Sequence, residues 1–289
     1  MRLLSFAVGD YRSFGAVNGD GIVDLGRLMG EPYPTLGSVL RAGDLHRAIS
    51  LGATSKPMIS LEEIRYLPTV PDPEKIVCIG INYGNRNEEY KDGADAPKYP
   101  SVFMRTPGSL VGHLEPILNP PESEQLDYEG EIVLVIGKAG RRIAAGDAWQ
   151  HVAGLSLMNE GSVRDWLRHS KFNVTPGKNF ERSGSLGPWL VTADELAPSA
   201  ELHLTTHVNG ELRQDDTTAN LIFPFARLIE YLSSFMRLMP GDLIATGTPT
   251  GAGARFDPPK YLRGGDTVEV HVPELGTLRN AVVDETTAS

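Results

Sequence analysis

The chain reads as a mainly β (α+β) protein: a β-sandwich or rolled β-barrel core carrying a small β-rich N-terminal domain. Three observations lead there. Short β-branched or apolar runs recur between turn signals, Asn-Gly pairs separate two sets of those runs, and a single long stretch has clear helical spacing. At 289 residues, with 40% hydrophobic residues, 31 Gly and 21 Pro, the chain is globular and turn-rich. That length accommodates one large β-rich domain or a small domain beside a larger one.

In chain order, Leu3 to Val8, Ser13 to Val17 and Ile22 to Leu25 are strand-like. Gly9-Asp10 and Asn18-Gly19-Asp20-Gly21 separate them, and Asn-Gly between apolar runs is a strong hairpin signal. A helical stretch over Thr35 to Leu51 follows, and Pro71-Asp72-Pro73-Glu74 then punctuates the chain. A boundary near residue 70 is expected, dividing an accessory domain (1–70) from the main domain (71–289). Beyond it strands are expected over Lys75 to Ile81, Glu131 to Ile136, Val152 to Met158, Gly187 to Val191, Leu202 to Val208, Leu243 to Thr246, Val268 to Val272 and Thr277 to Val283. Asn209-Gly210 marks a further hairpin. From Pro224 to about Arg237 a helix is expected, because Phe225, Leu228, Ile229, Leu232, Phe235 and Met236 repeat at helical spacing behind a tolerated first-turn proline. Two long polar segments, Gly84 to Lys98 and Gly161 to Gly184, break the pattern and read as binding loops or lids.

Composition excludes several classes. A net charge of −10 and a pI near 5.2 argue against nucleic acid or an anionic membrane as partner. The single cysteine, Cys78, lies in the apolar run Lys75 to Gly80 and reads as a buried small hydrophobe. One thiol forms no internal disulfide, which is compatible with a reducing cytoplasm. The N-terminal apolar stretch is too short for a signal peptide, and no run approaches a membrane span.

The most informative residues are Glu129 and Glu131, at the head of the apolar run to Ile136. Side chains at i and i+2 leave a strand on the same face, so both carboxylates point into one space. Close like charges do not both stay ionised unless a cation lies between them. Glu160, where the run Leu155 to Met158 ends, is a natural third ligand. Three carboxylates suit an open oxygen site for Mg²⁺ or Mn²⁺, with Ca²⁺ also compatible. Zinc is disfavoured, because no His or Cys pair has ligand spacing. The plain alternative is a solvated strand edge.

Five blocks in order resemble the fumarylacetoacetate hydrolase superfamily, over residues 75 to 285. They are Gly80-Ile81-Asn82-Tyr83, Asp127-Tyr128-Glu129-Gly130-Glu131, Met158 to Asp165, Gly177-Lys178-Asn179-Phe180, and Ala245 to Gly251. The resemblance implies a mixed β-sandwich roll, a homodimer, a Mg²⁺ or Mn²⁺ centre, and a small 2-oxo or 2,4-dioxo acid as substrate, typically from aromatic compound breakdown. It implies Glu129, Glu131 and Glu160 as metal ligands, though many members carry Asp at the third position. Glu is longer by about 1.5 Å. It implies Lys178 as the catalytic lysine that stabilises an enolate, Thr248 as a substrate-carboxylate contact, and Asn82 and Tyr83 at the substrate site.

A second departure lies in the segment after Asn82-Tyr83. Hydrolytic members carry a His-x-x-Glu dyad there, whereas this chain has Arg86 and Glu89. Arginine is no base at neutral pH. Glu89 is the expected base, with His113 or His169 as substitutes for the missing histidine. Arg86 and Arg105 are expected to clamp substrate carboxylates, and Arg164 with Asp165 to form a supporting ion pair. The leading expectation is metal-dependent hydrolysis of a C–C bond in an acylpyruvate-type acid. The alternatives are isomerisation or decarboxylation of a 2-oxo dicarboxylate on the same site, and, in a different class, a non-catalytic β-rich binding protein with structural Ca²⁺.

Overall fold

The structure, a computed structural model, describes residues 1–84, 97–170 and 173–286. The N-terminal segment supplies β1 (Arg2–Val8), β2 (Tyr11–Asn18), β3 (Gly21–Asp24), β4 (Ile59–Ser60) and β5 (Arg65–Tyr66). Next come β6 (Ile76–Ile79), β7 (Val102–Arg105), β8 (Leu110–Val111), β9 (Ile117–Asn119) and β10 (Leu126–Asp127). The centre of the chain holds β11 (Gly130–Ile136), β12 (Val152–Asn159), β13 (Ser162–Val163) and β14 (Gly184–Thr192). The remainder is β15 (His203–Val208), β16 (Glu211–Thr217), β17 (Leu243–Ala245), β18 (Thr267–Val272) and β19 (Gly276–Asp284).

A twelve-stranded mixed sheet runs in the order β4-β3-β2-β1-β14-β12-β11-β17-β6-β7, with β5 on β1 and β8 on β14. A five-stranded sheet runs β16-β15-β18-β19-β9. The fold is therefore mainly β, as expected. The N-terminal hairpins extend the large sheet, because β1 pairs antiparallel with β14 at Arg2↔Val191 and Leu3↔Leu190.

Strand β11 shows how the layers form. Ile132, Leu134 and Ile136 pack with Leu204, Val270, Val272 and Leu278 of the second sheet. The intervening Val133 and Val135 pack with Leu3, Phe14, Leu36 and Val39 from the N-terminal segment. A strand buried on both faces needs an unbroken apolar run, and Ile132 to Ile136 is one. The helix Phe225–Phe235 joins the first of these cores through Leu228, Ile229 and Leu232. Its first and last residues fall within two positions of the expected limits.

The Asn209-Gly210 turn joins β15 to β16 with both residues at positive φ, 53° and 78°, the two-residue turn whose twist matches the strands. The helix expected over Thr35 to Leu51 is two helices, Leu36–Ala42 and Leu45–Thr54. Gly43 adopts φ 76° at the first C-terminus and closes it there. Strand β7 was not anticipated, and the second arm of the expected Asn209-Gly210 hairpin, β16, lacks apolar alternation, with three of its seven residues exposed. No helix among the described residues is long and apolar enough to cross a membrane.

Candidate metal centre

Strands β11 and β12 run antiparallel with Gly130 opposite Asn159 and Glu131 opposite Met158. The same register resumes beyond their ends, where β10 pairs Asp127 with Ser162 of β13. This pairing sets Glu129 across from Glu160, and the Glu160 N–H donates to the Glu129 carbonyl at 2.7 Å. Glu129 and Glu131 flank Gly130 on the face of the sheet that carries Val133 and Val135. Gly130 faces the other way, where a Cβ would stand 2.1 Å from Thr206 Oγ1. Only glycine therefore fits between the two glutamates.

All three carboxylates are buried, with 4%, 1% and 1% exposure for Glu129, Glu131 and Glu160. One oxygen from each lies within 4.8 Å of the others. Three cations interleave with them. Lys178 Nζ donates to Glu129 Oε2 at 2.5 Å and to Glu160 Oε2 at 2.7 Å. Arg164 donates from Nη2 to Glu129 Oε1 at 2.8 Å and from Nε to Asp127 Oδ2 at 2.7 Å. Arg105 Nη1 donates to Glu160 Oε1 at 2.8 Å. Glu131 Oε2 accepts the Gly247 N–H at 2.8 Å. Gly247 holds φ 100°, and a Cβ there would stand 2.7 Å from Asn82 Cβ.

Burial pushes the Glu131 carboxyl well above the usual carboxylate range, and the Glu160 and Glu129 charges push it further. Burial works against the Lys178 ammonium, yet the Glu129 and Glu160 charges outweigh it and raise its pKa. A hard divalent cation among these oxygens would remove the penalty on Glu131. The donor set, all carboxylate oxygen, fits Mg²⁺ or Mn²⁺ and not a thiolate- or imidazole-preferring metal.

The cluster opens on a cavity of about 740 Å³ lined by all three glutamates, Lys178, Arg164 and Thr248. Phe103, Ile81, Leu167 and Val174 supply apolar wall, and Lys178 Nζ sits 5.1 Å from the centre of the Phe103 ring. A structural Ca²⁺ protein would close the shell around its ion; here the carboxylates face open space beside two cations.

The expected residues are distributed unequally. Glu129, Glu131, Glu160, Lys178 and Thr248 converge on the cavity. The Thr248 hydroxyl accepts from Gln214 Nε2 at 2.8 Å and donates to the Gly130 carbonyl at 2.9 Å. Asn82 is fully buried and serves the backbone: Nδ2 donates to the Phe223 and Thr246 carbonyls, and Oδ1 accepts the Phe223 N–H. Tyr83 is also buried, and that burial, with the Asp216 charge, raises its hydroxyl pKa. Neither residue lines the cavity. Arg86 and Glu89 lie outside the described residues.

Three other expectations change. Arg105, expected to clamp substrate, is buried to 3% exposure and holds Glu160 and its neighbours. Arg164 pairs with Asp127 and Glu129, while Asp165 accepts from Ser123 Oγ at 2.6 Å. His113 and His169 do not line the cavity. His113 accepts the Arg279 N–H and packs edge-on against Tyr66, and His169 packs on Trp166. Cys78 is buried, and that burial lifts its thiol well above the ordinary value. Sequence reading missed Asp127 as the anchor of Arg164. Its signal was present: Asp127, Glu129 and Glu131 share one strand period.

The layered fold and this buried carboxylate cluster define a β-rich protein in which three glutamates that could hold a metal ion line a cavity shared with Lys178 and Arg164. The chain belongs to the fumarylacetoacetate (FAA) hydrolase C-terminal family, whose model matches residues 75–283. It is 37% identical over 294 residues to the mitochondrial oxaloacetate tautomerase FAHD2B of Bos taurus, covering 98% of this chain and 92% of that one. It is 42% identical over 228 residues to the oxaloacetate tautomerase YisK of Bacillus subtilis, covering 78% of this chain and 75% of that one. Among solved structures it resembles maleylpyruvate hydrolase from Sphingobium sp. SYK-6, in complex with manganese(II) and pyruvate. That match has a TM-score of 0.81 and 27% identity over 99% of this chain and 100% of the other.

Proposed function

We propose that the protein is a divalent-metal-dependent isomerase that interconverts the keto and enol forms of a small 2-oxo dicarboxylic acid of the oxaloacetate kind. The observation that carries this reading is the convergence of Glu129, Glu131 and Glu160 with Lys178 and Arg164 on one cavity. The relatives named as oxaloacetate tautomerases support isomerisation over the hydrolysis that the sequence put first. Arg86, at the position of the hydrolytic histidine, supports it too, because no imidazole stands there to activate water.

Glu129, Glu131 and Glu160 would hold Mg²⁺ or Mn²⁺, which supplies Lewis-acid polarisation of the 2-oxo group and its neighbouring carboxylate. Lys178, an ammonium whose other two N–H groups go to Glu129 and Glu160, donates its third toward the substrate oxygen on which charge grows as the C3 proton leaves. Arg164 adds positive charge at the same end of the cavity. Phe103 and the aliphatic wall make one side of the cavity apolar, which strengthens both contacts. Glu89 is the proposed base: its carboxylate takes the proton from C3 while the 2-oxygen gains one from water, giving the enol, and the C3 proton passes from Glu89 to solvent to complete the turnover. Arg86 is the proposed clamp for the distal carboxylate.

The test follows enol absorbance of freshly dissolved oxaloacetic acid with and without Mn²⁺ or Mg²⁺. The same samples are scored for pyruvate release and for cleavage of an acylpyruvate. Metal-dependent loss of enol absorbance that outpaces the other two reactions is expected. Acylpyruvate cleavage or pyruvate release faster than tautomerisation would reject the isomerase reading.

A further inference from the structure

We propose that Arg105 is a positioning residue for the metal centre, fixing Glu160 so that a single carboxylate oxygen faces the cavity; this rests on the metal-dependent reading above. Every guanidinium nitrogen is engaged by protein. Nε donates to Ser109 Oγ at 3.1 Å. Nη1 donates to Glu160 Oε1 at 2.8 Å and to the Gly161 carbonyl at 2.7 Å. Nη2 donates to Ser183 Oγ at 3.1 Å and, more weakly, to the Ser109 carbonyl at 3.4 Å. No donor direction is left for substrate, and Arg105 does not line the cavity.

The arrangement acts on Glu160 from both ends. Arg105 grips the side chain through Oε1 and the following peptide through Gly161, so the carboxylate and the backbone beneath it share one rigid partner. Oε2 points the other way, to Lys178. A glutamate has one more rotatable bond than an aspartate, and a free carboxylate of that length samples several rotamers. Pinning Oε1 removes that freedom and leaves Oε2 as the one oxygen presented to a cation.

Asn179 couples the two grips. Its Oδ1 accepts the Thr106 N–H at 2.7 Å, and its Nδ2 donates to the Met104 carbonyl at 3.2 Å. The peptides on either side of Arg105 are thus bound to the residue that follows Lys178. Space for the guanidinium is also built in. A Cβ on Gly184 would stand 3.0 Å from Arg105 Nη2 and 2.6 Å from the Asn159 carbonyl.

The experiment is a double-mutant cycle read by Mn²⁺ binding, using electron paramagnetic resonance of free Mn²⁺ on the full chain. Loss of a partner that orients a ligand typically weakens metal affinity about 10- to 100-fold. Arg105→Met is expected to show that loss, and Glu160→Gln a loss at least as large. Adding Arg105→Met to Glu160→Gln is expected to change affinity less than threefold. If Arg105→Met does not fold, as judged by circular dichroism, Arg105→Lys takes its place with a smaller expected loss in the same cycle. Equal effects of the Arg105 substitution in both backgrounds would overturn the inference. So would an unchanged Mn²⁺ affinity with a raised KM, which would mean direct substrate contact. Failure of the wild-type protein to bind Mn²⁺ at all would reject the metal-dependent reading itself, a separate outcome.

Discussion

The two ends of the β11–β12 ribbon share one register and one degree of burial but have opposite chemistry. From Ile132 to Ile136, opposite Val152 to Leu157, the ribbon is apolar on nearly every position and packs into two cores. From Asp127 to Glu131, opposite Met158 to Ser162, it carries four buried carboxylates. The difference lies in what surrounds them. Lys178, Arg164 and Arg105 interleave with the carboxylates at the charged end, and backbone N–H groups of Gly247, Gly253 and Ala254 complete the set. Buried charge is tolerated only where such partners are already in place. One ribbon can therefore carry a charged end and an apolar end, because the partners of its side chains differ.

The comparison breaks most severely if a charge is moved to the apolar end. Leu134→Asp places a carboxylate among Leu155, Leu204 and Val270, where no cation is at hand. A loss of about 5 kcal/mol or more is expected, enough to unfold the chain. Chemical denaturation or recovery of soluble protein measures it; a stably folded variant would refute the role assigned to the interleaved cations.

Next in size is Glu131→Ala, which removes a carboxylate that burial pushes well above the usual range. We expect Mn²⁺ binding and turnover to fall by a factor of about 10³ or more while the fold persists. Metal-free thermal stability should hold or rise, because a costly buried charge has gone. Retained turnover in a metal-loaded assay would remove Glu131 from the centre.

Lys178→Met tests the cation on the cavity side. A decrease in kcat of about 10²- to 10³-fold is expected, comparable to loss of one preorganised electrostatic donor. Steady-state kinetics at saturating Mn²⁺ checks it, and an effect confined to KM would recast Lys178 as a binding group.

The smallest effect comes from a half-buried titratable group, His113. Burial lowers the His113 pKa to about 4, with the Arg279 charge adding to the effect. The imidazole is thus neutral in the fold at pH values where it would be protonated in the unfolded chain. Between the folded value and the ordinary value near 6.5, the unfolded state binds the extra proton, so stability falls as pH falls through that window. Going from pH 6.5 to 5 should cost the wild type roughly 1.5 kcal/mol that His113→Gln does not lose. Denaturation midpoints of the two proteins at both pH values give the difference directly; parallel losses would contradict a neutral, half-buried His113.

Much of this was legible in local pattern. Strand β11 followed from a β-branched run, the helix Phe225–Phe235 from its 3.6-residue spacing, and the β15–β16 turn from Asn209-Gly210. The carboxylate triad followed from a period of two and a strand end. What failed to show was pairing between distant segments. Arg105 and Arg164 each carried a charge visible in the sequence, but their partners, Glu160 and the Asp127–Glu129 pair, were chosen by register and packing. Asn82 was expected at the substrate site from its motif alone; its three side-chain hydrogen bonds, to loops more than a hundred positions away, are set by the folded chain.

Periodicity and turn chemistry were enough to set the fold class, the strands around the centre and the pairing of Glu129 with Glu131 on one strand face, since each depends on residues within a few positions of one another; Glu160 joins them only through the register of β11 and β12. The joining of the N-terminal hairpins to the main sheet, the break of one helix at Gly43, and the assignment of each cation to its carboxylate came from the folded chain. Those outcomes turn on which surfaces meet, and burial strengthens or forbids a charge according to neighbours that no stretch of sequence contains.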